Sequence, residues 1–173
     1  MVGLGRRVVS PTLTDWQKRA QSRIGRWLFT RTQCRRAPYF ASIKPYFLEV
    51  RPALCVVVIP KQRGTGGQQN TVHPLAIATL CELAASTVTD VTLPATMKWY
   101  SRGMTIEYLR HAESDVTATA RLDKAEWGDA QNIAVPVSAV DRNGREVVRA
   151  VITVRVEPNG ANVSRYAGSV TAR

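Results

Sequence analysis

Histidine and cysteine are scarce in this chain, two and three respectively among 173 residues. The histidines, His73 and His111, have no carboxylates at ligand spacing, so the sequence offers no metal site. Cys34, Cys55 and Cys81 are an odd set with neither zinc-like nor disulfide-framework spacing, and two of them sit in apolar runs. Buried free thiols in a reducing cytosol are the expectation, and the chain is assigned to the cytoplasm. No apolar run approaches the length of a membrane span. The N terminus has arginines but lacks the continuous apolar segment of a secretory signal. The glycine-rich stretch RGTGGQQN (63–70) is not followed by Gly-Lys-Ser/Thr, which excludes a P-loop. No nucleotide-redox fingerprint occurs either, and no cofactor is expected. Acidic residues are few at the start: residues 1–50 hold ten Lys and Arg against two Asp and Glu.

What is present describes an ordinary globular chain, 45% apolar and 21% charged, of a size for one domain. Its net charge of +11 is mostly an N-terminal property and would attract a polyanion, an acidic membrane surface or a phosphate-bearing ligand. Thr14-Asp15 reads as a helix start. Trp16, Ala20, Ile24, Trp27 and Leu28 then recur at helical spacing, with Lys18, Arg19, Arg23 and Arg26 elsewhere on the wheel. This basic amphipathic helix either packs on the domain body or contacts a membrane surface through residues 1–36.

YFASIKPYFLEV (39–50) reads as a short helical piece running into a strand, and Arg51–Gln62 as a β-branched strand bounded by prolines. A long apolar helix occupies Thr71–Thr87. Asp90–Gly103 reads as a turn region, followed by strands at Met104–Arg110, Asp115–Leu122, Ile133–Asp141 and Arg145–Pro158. Asn143-Gly144 supplies the favoured centre of a hairpin turn. The residues from Asn159 are small and polar, a fraying tail, and the sequon Asn162–Ser164 is discounted. The division is a basic helical arm over 1–37, a domain over 38–158 and a tail over 159–173. The fold class is α+β: a strongly bent antiparallel sheet wrapped around the long helix, the only element able to cover its apolar face.

Glu82 is the only charged residue between His73 and Asp90. A buried carboxylate without partners is costly, so it needs hydrogen bonds or a neutral form. Thr79 and Ser86, three before and four after, share its face. His73-Pro74 fits a helix start, with proline in the first turn and outward-facing amides able to stabilise an oxyanion. Nine residues separate His73 from Glu82, which leaves them on opposite sides of one helix. If both act on one ligand, the site is long or is completed by a second subunit.

These residues carry a resemblance. His73, Leu80, Cys81 and Glu82 occupy the frame that reads His-Gly-Gly, four variable residues, Leu-Ala-Asp/Glu in the hot dog fold acyl-CoA thioesterases of the phenylacetate-pathway (PaaI-like) group. Tyr108-Leu109-Arg110 in MTIEYLRHAE (104–113) is similar to the strand of that family ending in Tyr-Leu-Arg-Pro-Ala. The resemblance spans Pro38–Pro158 and implies a hot dog fold, a homodimer or dimer of dimers, and a site shared between subunits. It implies Glu82 as general base or nucleophile, His73 orienting the thioester carbonyl, and Ser101, seven residues before Tyr108, holding the water. Asn70, Thr79 and Ser86 would line the substrate, with Arg102 and Arg110 meeting the phosphates of coenzyme A. This chain has Pro74 where the family has glycine, so Leu75 N–H would have to replace the missing amide donor. It also has Gly67 and Asn70 where relatives carry Asn and then Gly.

Three readings follow. One is an acyl-CoA thioesterase. The second is a non-catalytic hot dog protein that binds an acyl-CoA or lipid-like ligand, which Pro74 favours. The third, a nucleic-acid or membrane-binding module, rests on the N-terminal charge alone. For nucleic acid it lacks stacking aromatics and any recognition motif.

Overall fold

A computed structural model of the chain describes residues 10–62, 65–66, 70–123 and 127–160. Arg63, Gly67, the first nine residues of the arm, the sequon and the tail beyond residue 160 lie outside them. Among the described residues the order is α1 (Pro11–Arg19), α2 (Arg23–Arg36), a 3₁₀ helix (Pro38–Ile43), β1 (Tyr46–Arg51), β2 (Leu54–Ile59), α3 (Pro74–Thr92), β3 (Met97–Tyr108), β4 (Val116–Arg121), β5 (Gln131–Asp141) and β6 (Glu146–Pro158). The strands form one antiparallel sheet in the order β1-β2-β4-β5-β6-β3 around α3, the bent sheet and central helix of a hot dog fold.

The N-terminal arm departs from the single helix expected from Thr14. Ser10 caps α1 by accepting from Thr12 N at 3.2 Å, with Pro11 in the first turn. After Arg19 the chain breaks, and Ser22 caps α2 by accepting from Gly25 N at 3.0 Å. The break shifts the helical phase. Gly25, Phe29 and Thr30 form the buried face of α2, whereas Ile24, Trp27 and Leu28 are 72%, 50% and 41% exposed. Trp16 does pack as expected: Trp16, Phe29 and Phe47 stack edge to face with centroids 5.0 and 5.2 Å apart. Thr30 Oγ1 accepts from Phe47 N at 3.3 Å and ties α2 to β1.

Gly25 is required by a close approach. A Cβ there would lie 1.9 Å from the Arg19 carbonyl oxygen, which is rigid backbone. Gly25→Ala is therefore expected to destabilise by about 1–3 kcal/mol through overpacking. For a chain of this size that lowers Tm by about 2–4 °C per kcal/mol, readable in a thermal melt. An unchanged Tm would mean that the arm docks differently.

The strand expected over Arg51–Gln62 divides. β1 ends at Arg51, the chain turns at Pro52-Ala53 with Ala53 at φ 68°, and β2 begins at Leu54. The strained turn is anchored by Ala53 N donating to Thr92 Oγ1 at 2.9 Å. Helix α3 runs to Thr92, five residues past the apolar stretch, because Val88, Thr89 and Val91 still face the core. By length and composition it could cross a membrane, but most of it is buried inside the sheet. Leu80, Cys81, Ala84, Ala85 and Val88 are fully enclosed. They meet the small inward residues Ala118, Ala120 and Ala139, which let the helix approach closely.

The region read as a turn up to Gly103 is mostly strand. Trp99 and Tyr100 are good strand formers, and β3 starts at Met97. Gly103 is not a breaker but adjoins a bulge: the register with β6 shifts between Ser101 and Gly103, which leaves Arg102 as the extra residue. Trp99 and Ser101 pair with Val156 and Val154. Beyond the bulge Met104, Ile106 and Tyr108 pair with Ile152, Ala150 and Val148. The helix-facing side of β3 thus switches from odd to even positions.

At the β5–β6 hairpin Gly144, not Asn143, takes the left-handed conformation, at φ 77°. The connection, residues 142–145, is longer than an Asn-Gly two-residue turn, and Asp141 organises it. Its carboxylate accepts from Asn143 N and Arg145 N, both at 2.9 Å, and from the Arg145 guanidinium. Burial pushes the Asp141 carboxyl up, but these donors outweigh it and hold it below the usual carboxylate range. At the end of the described residues the Asn159 amide and side chain donate to the Thr96 and Ala95 carbonyls, both at 2.7 Å.

Candidate active site

Glu82 sits at the middle of α3, half-buried, and meets β3 across a seam. Ser101 Oγ donates to Glu82 Oε1 at 2.7 Å, and Ser86 Oγ donates to the same oxygen at 3.3 Å. A carboxylate oxygen receiving two hydroxyl protons is the partnered state that the lone glutamate required. The arrangement depends on the phase of β3, because Ser101 is the last helix-facing residue before the bulge. Next to it, Cys81 is enclosed; burial first, and then the Glu82 charge, push its thiol up to about 12. Burial likewise raises the Cys34 and Cys55 thiols.

The carboxylate opens into a mostly apolar groove of about 570 Å³. Leu75, Ala78 and Thr79 of α3 form one wall, Ser101–Met104 the other, and Tyr39 and Phe40 of the 3₁₀ helix stand over it. Thr79 lies on the Glu82 face, its hydroxyl donating to the Leu75 carbonyl at 2.8 Å. Arg102, the bulged residue, is at the rim. The aromatic pair was not legible: nothing in the spacing connects residues 39 and 40 with residue 82. Met104 was hidden by the bulge, since in a regular strand it would face away from Ser101.

Other candidates lie apart. His73 is exposed at the N-cap of α3, about 14 Å of helix from Glu82. Its Nδ1 accepts from Leu75 N at 3.1 Å, and its carbonyl accepts from Ala76 N and Ile77 N. With Pro74 lacking an N–H, the helix N terminus is thus more fully spent on its own cap than the sequence suggested. Leu75 N–H reaches a ligand only if the imidazole releases it. Asn70 is exposed and left-handed at φ 60°, as its side chain permits. Arg110, nine residues beyond Ser101 and about 30 Å away along an extended strand, is exposed and its charge acts on Glu146. Among the described residues no group of three His, Cys, Asp or Glu is placed to hold a metal.

Comparison places this geometry in a family. Residues 25–156 match the family described as Domain of unknown function (DUF4442). A solved structure described only as a genomics target is 37% identical, with a TM-score of 0.75, covering 86% of this chain and 98% of its own. The fold is also that of a thioesterase from Haemophilus influenzae (14% identity, TM-score 0.63, 73% and 87% covered). A thioesterase family protein from Silicibacter pomeroyi is similar again (16% identity, TM-score 0.64, 75% and 96% covered). No curated protein matches the chain. With three quarters of its length matched, the chain belongs to the DUF4442 family, and it is built on the hot dog fold that these thioesterase structures share.

Proposed function

We propose that this protein hydrolyses the thioester of an acyl-CoA, with Glu82 as general base or nucleophile. The observation that carries the reading is the 2.7 Å bond from Ser101 to Glu82 at the floor of an apolar groove. With both serines on Oε1, Oε2 is the oxygen that faces the reaction. As a base it takes a proton from water while the water oxygen attacks the carbonyl; the tetrahedral intermediate then expels the thiolate of coenzyme A, which is protonated. As a nucleophile it attacks the carbonyl and expels the coenzyme A thiolate, which is protonated, to form a mixed anhydride that water cleaves to the free acid and the regenerated carboxylate. Because His73 Nδ1 accepts from Leu75 N, the ring N–H that can be offered to a ligand is the one at Nε2. That N–H substitutes for the amide donor that Pro74 lacks.

Because His73 is far from Glu82 in one chain, the working site is formed by a homo-oligomer, a dimer or dimer of dimers. Two features support it. β3 is a 12-residue edge strand, and Met104 and Tyr108 on it and Leu75 of α3 are large, apolar and exposed. Arg110 of a second copy could then reach the phosphates of coenzyme A.

A non-catalytic acyl-CoA binder is the second reading, favoured by the helix N terminus, whose first amides are missing or engaged. Thiol release from acetyl, decanoyl, palmitoyl and phenylacetyl esters of coenzyme A decides between them. Release from any ester supports the hydrolase; saturable binding with no release from the whole panel supports the binder.

Contact with an anionic membrane is a separate partner reading, supported by the exposed stripe Ile24, Trp27, Leu28 and Arg31, with the Arg31 guanidinium 5.4 Å from the Trp27 ring. Trp27→Ala is expected to reduce retention on phosphatidylserine vesicles severalfold, in a flotation assay at low salt. Equal retention of both proteins would remove this reading.

A further inference from the structure

A second cavity of about 440 Å³ lies under the N-terminal arm, bounded by Trp99 and Ser86 on the seam and by Gln33, Ala37 and Phe40 on the arm. Phe40 belongs to the walls of both cavities, and Ser86 of the second donates to the carboxylate of the first. The lining order shows that they are successive. Along α3 the first cavity uses Leu75 to Glu82 and the second Leu83 to Asp90; along β3 the first uses Met104 back to Ser101 and the second Trp99.

Eight residues from Glu82 to Asp90 make about 12 Å of helix. An extended hydrocarbon with bonds of about 1.5 Å advances about 1.3 Å per bond, so nine or so carbons fit that length. Most of the lining surface is apolar, and its polar members other than Gln33 are engaged within the protein. Arg36 Nη1 donates to Thr12 Oγ1 at 3.2 Å, Asp90 accepts from Ser10 Oγ at 3.2 Å, Thr87 Oγ1 donates to the Leu83 carbonyl at 2.8 Å and Ser86 donates to Glu82. Gln33 Nε2 is buried and has no hydrogen-bond partner among the described residues. Such an orphaned donor costs free energy, which a turn of the Gln33 amide toward an acceptor on the ligand would restore.

We infer that this cavity receives the acyl chain of the substrate, a chain of about eight to ten carbons carrying an oxygen acceptor for the Gln33 amide proton. The arm therefore sets chain length and the sheet-and-helix domain supplies the chemistry. The inference rests on Glu82 marking the thioester end, so its test separates binding from hydrolysis.

Calorimetric titration of the full chain, in the Glu82→Gln form to suppress turnover, measures acetyl-, decanoyl- and hydroxydecanoyl-CoA, the hydroxyl at either end of the chain. Each buried methylene contributes about fourfold, so the decanoyl ester is expected to bind at least about 100-fold more tightly than the acetyl ester. Ala37→Phe fills the cavity and is expected to remove most of that preference while acetyl-CoA binding, which also reports folding, is unchanged. One hydroxydecanoyl ester is expected to bind about three- to tenfold more tightly than decanoyl-CoA, and Gln33→Leu to erase that difference.

No binding, no chain-length preference, or a preference untouched by Ala37→Phe would overturn the assignment. Hydroxylated and plain esters binding alike would overturn the role of Gln33. Chain-length-dependent binding with no thiol release from the unsubstituted protein would instead end the hydrolase reading and leave the cavity assignment standing. Release without chain-length preference would do the reverse.

Discussion

Glu82→Gln is expected to lower thioester hydrolysis by about 10²–10⁴-fold, the range that a positioned acid–base group contributes. The substitution keeps the side-chain volume and an oxygen to accept from Ser86 and Ser101, so a matching thermal melt separates chemistry from folding. Ser101→Ala leaves the charge but removes its shortest partner. A hydrogen bond to a charged group is worth about 1.5–3 kcal/mol, so a loss of roughly ten- to a hundredfold is expected there. The order of the two effects matters. If Glu82→Gln keeps activity within twofold, the carboxylate is a structural group and the hydrolase reading fails. If Ser101→Ala costs more than Glu82→Gln, the serine is closer to the chemistry than the glutamate.

Phe29→Ala carries the largest expected effect on stability. Phe29 has no exposed surface and lies between Trp16 and Phe47, joining both N-terminal helices to β1. Truncation of such a ring costs about 3–5 kcal/mol, from lost burial and the cavity left behind. For this chain length the loss in Tm is on the order of 10 °C. Phe29→Leu, which retains more of the volume, is expected to cost clearly less. A melt in which the two variants behave alike would mean that the arm is not packed on the body through this ring. The effect also tells whether residues 10–36 are an appendage or part of the folding unit.

How far the site could be read from the chain depended on the range of the interaction. Glu82 stood out because a single charge in an apolar helix must find partners, and Ser86 was found by helical spacing. Ser101 came from the family frame, since no local rule connects a strand serine to a helix glutamate. The central helix and most of the strands were legible for a similar reason: their apolar periodicity is local. The arm was misphased because Ser22 is as good a cap inside a helical pattern as before one, and only the Gly25–Arg19 approach reveals the break. The start of β3 was hidden by Gly103, whose usual meaning as a breaker conceals a bulge. Leu75 looked available because the histidine capping its own helix is a side-chain choice that the sequence leaves open.

The enclosure of the cysteines has a practical consequence. Coenzyme A release is followed with colour reagents that react only with thiolates. Cys81, held near 12 beside Glu82, and the fully buried Cys55 therefore stay silent in that measurement, although one of them adjoins the catalytic candidate. Cys34 alone is partly accessible, and burial raises it as well. A blank without ester should thus show at most one slow equivalent per chain. A faster or larger blank would signal that the body has opened, so the same reagent reports on turnover and on the integrity of the core.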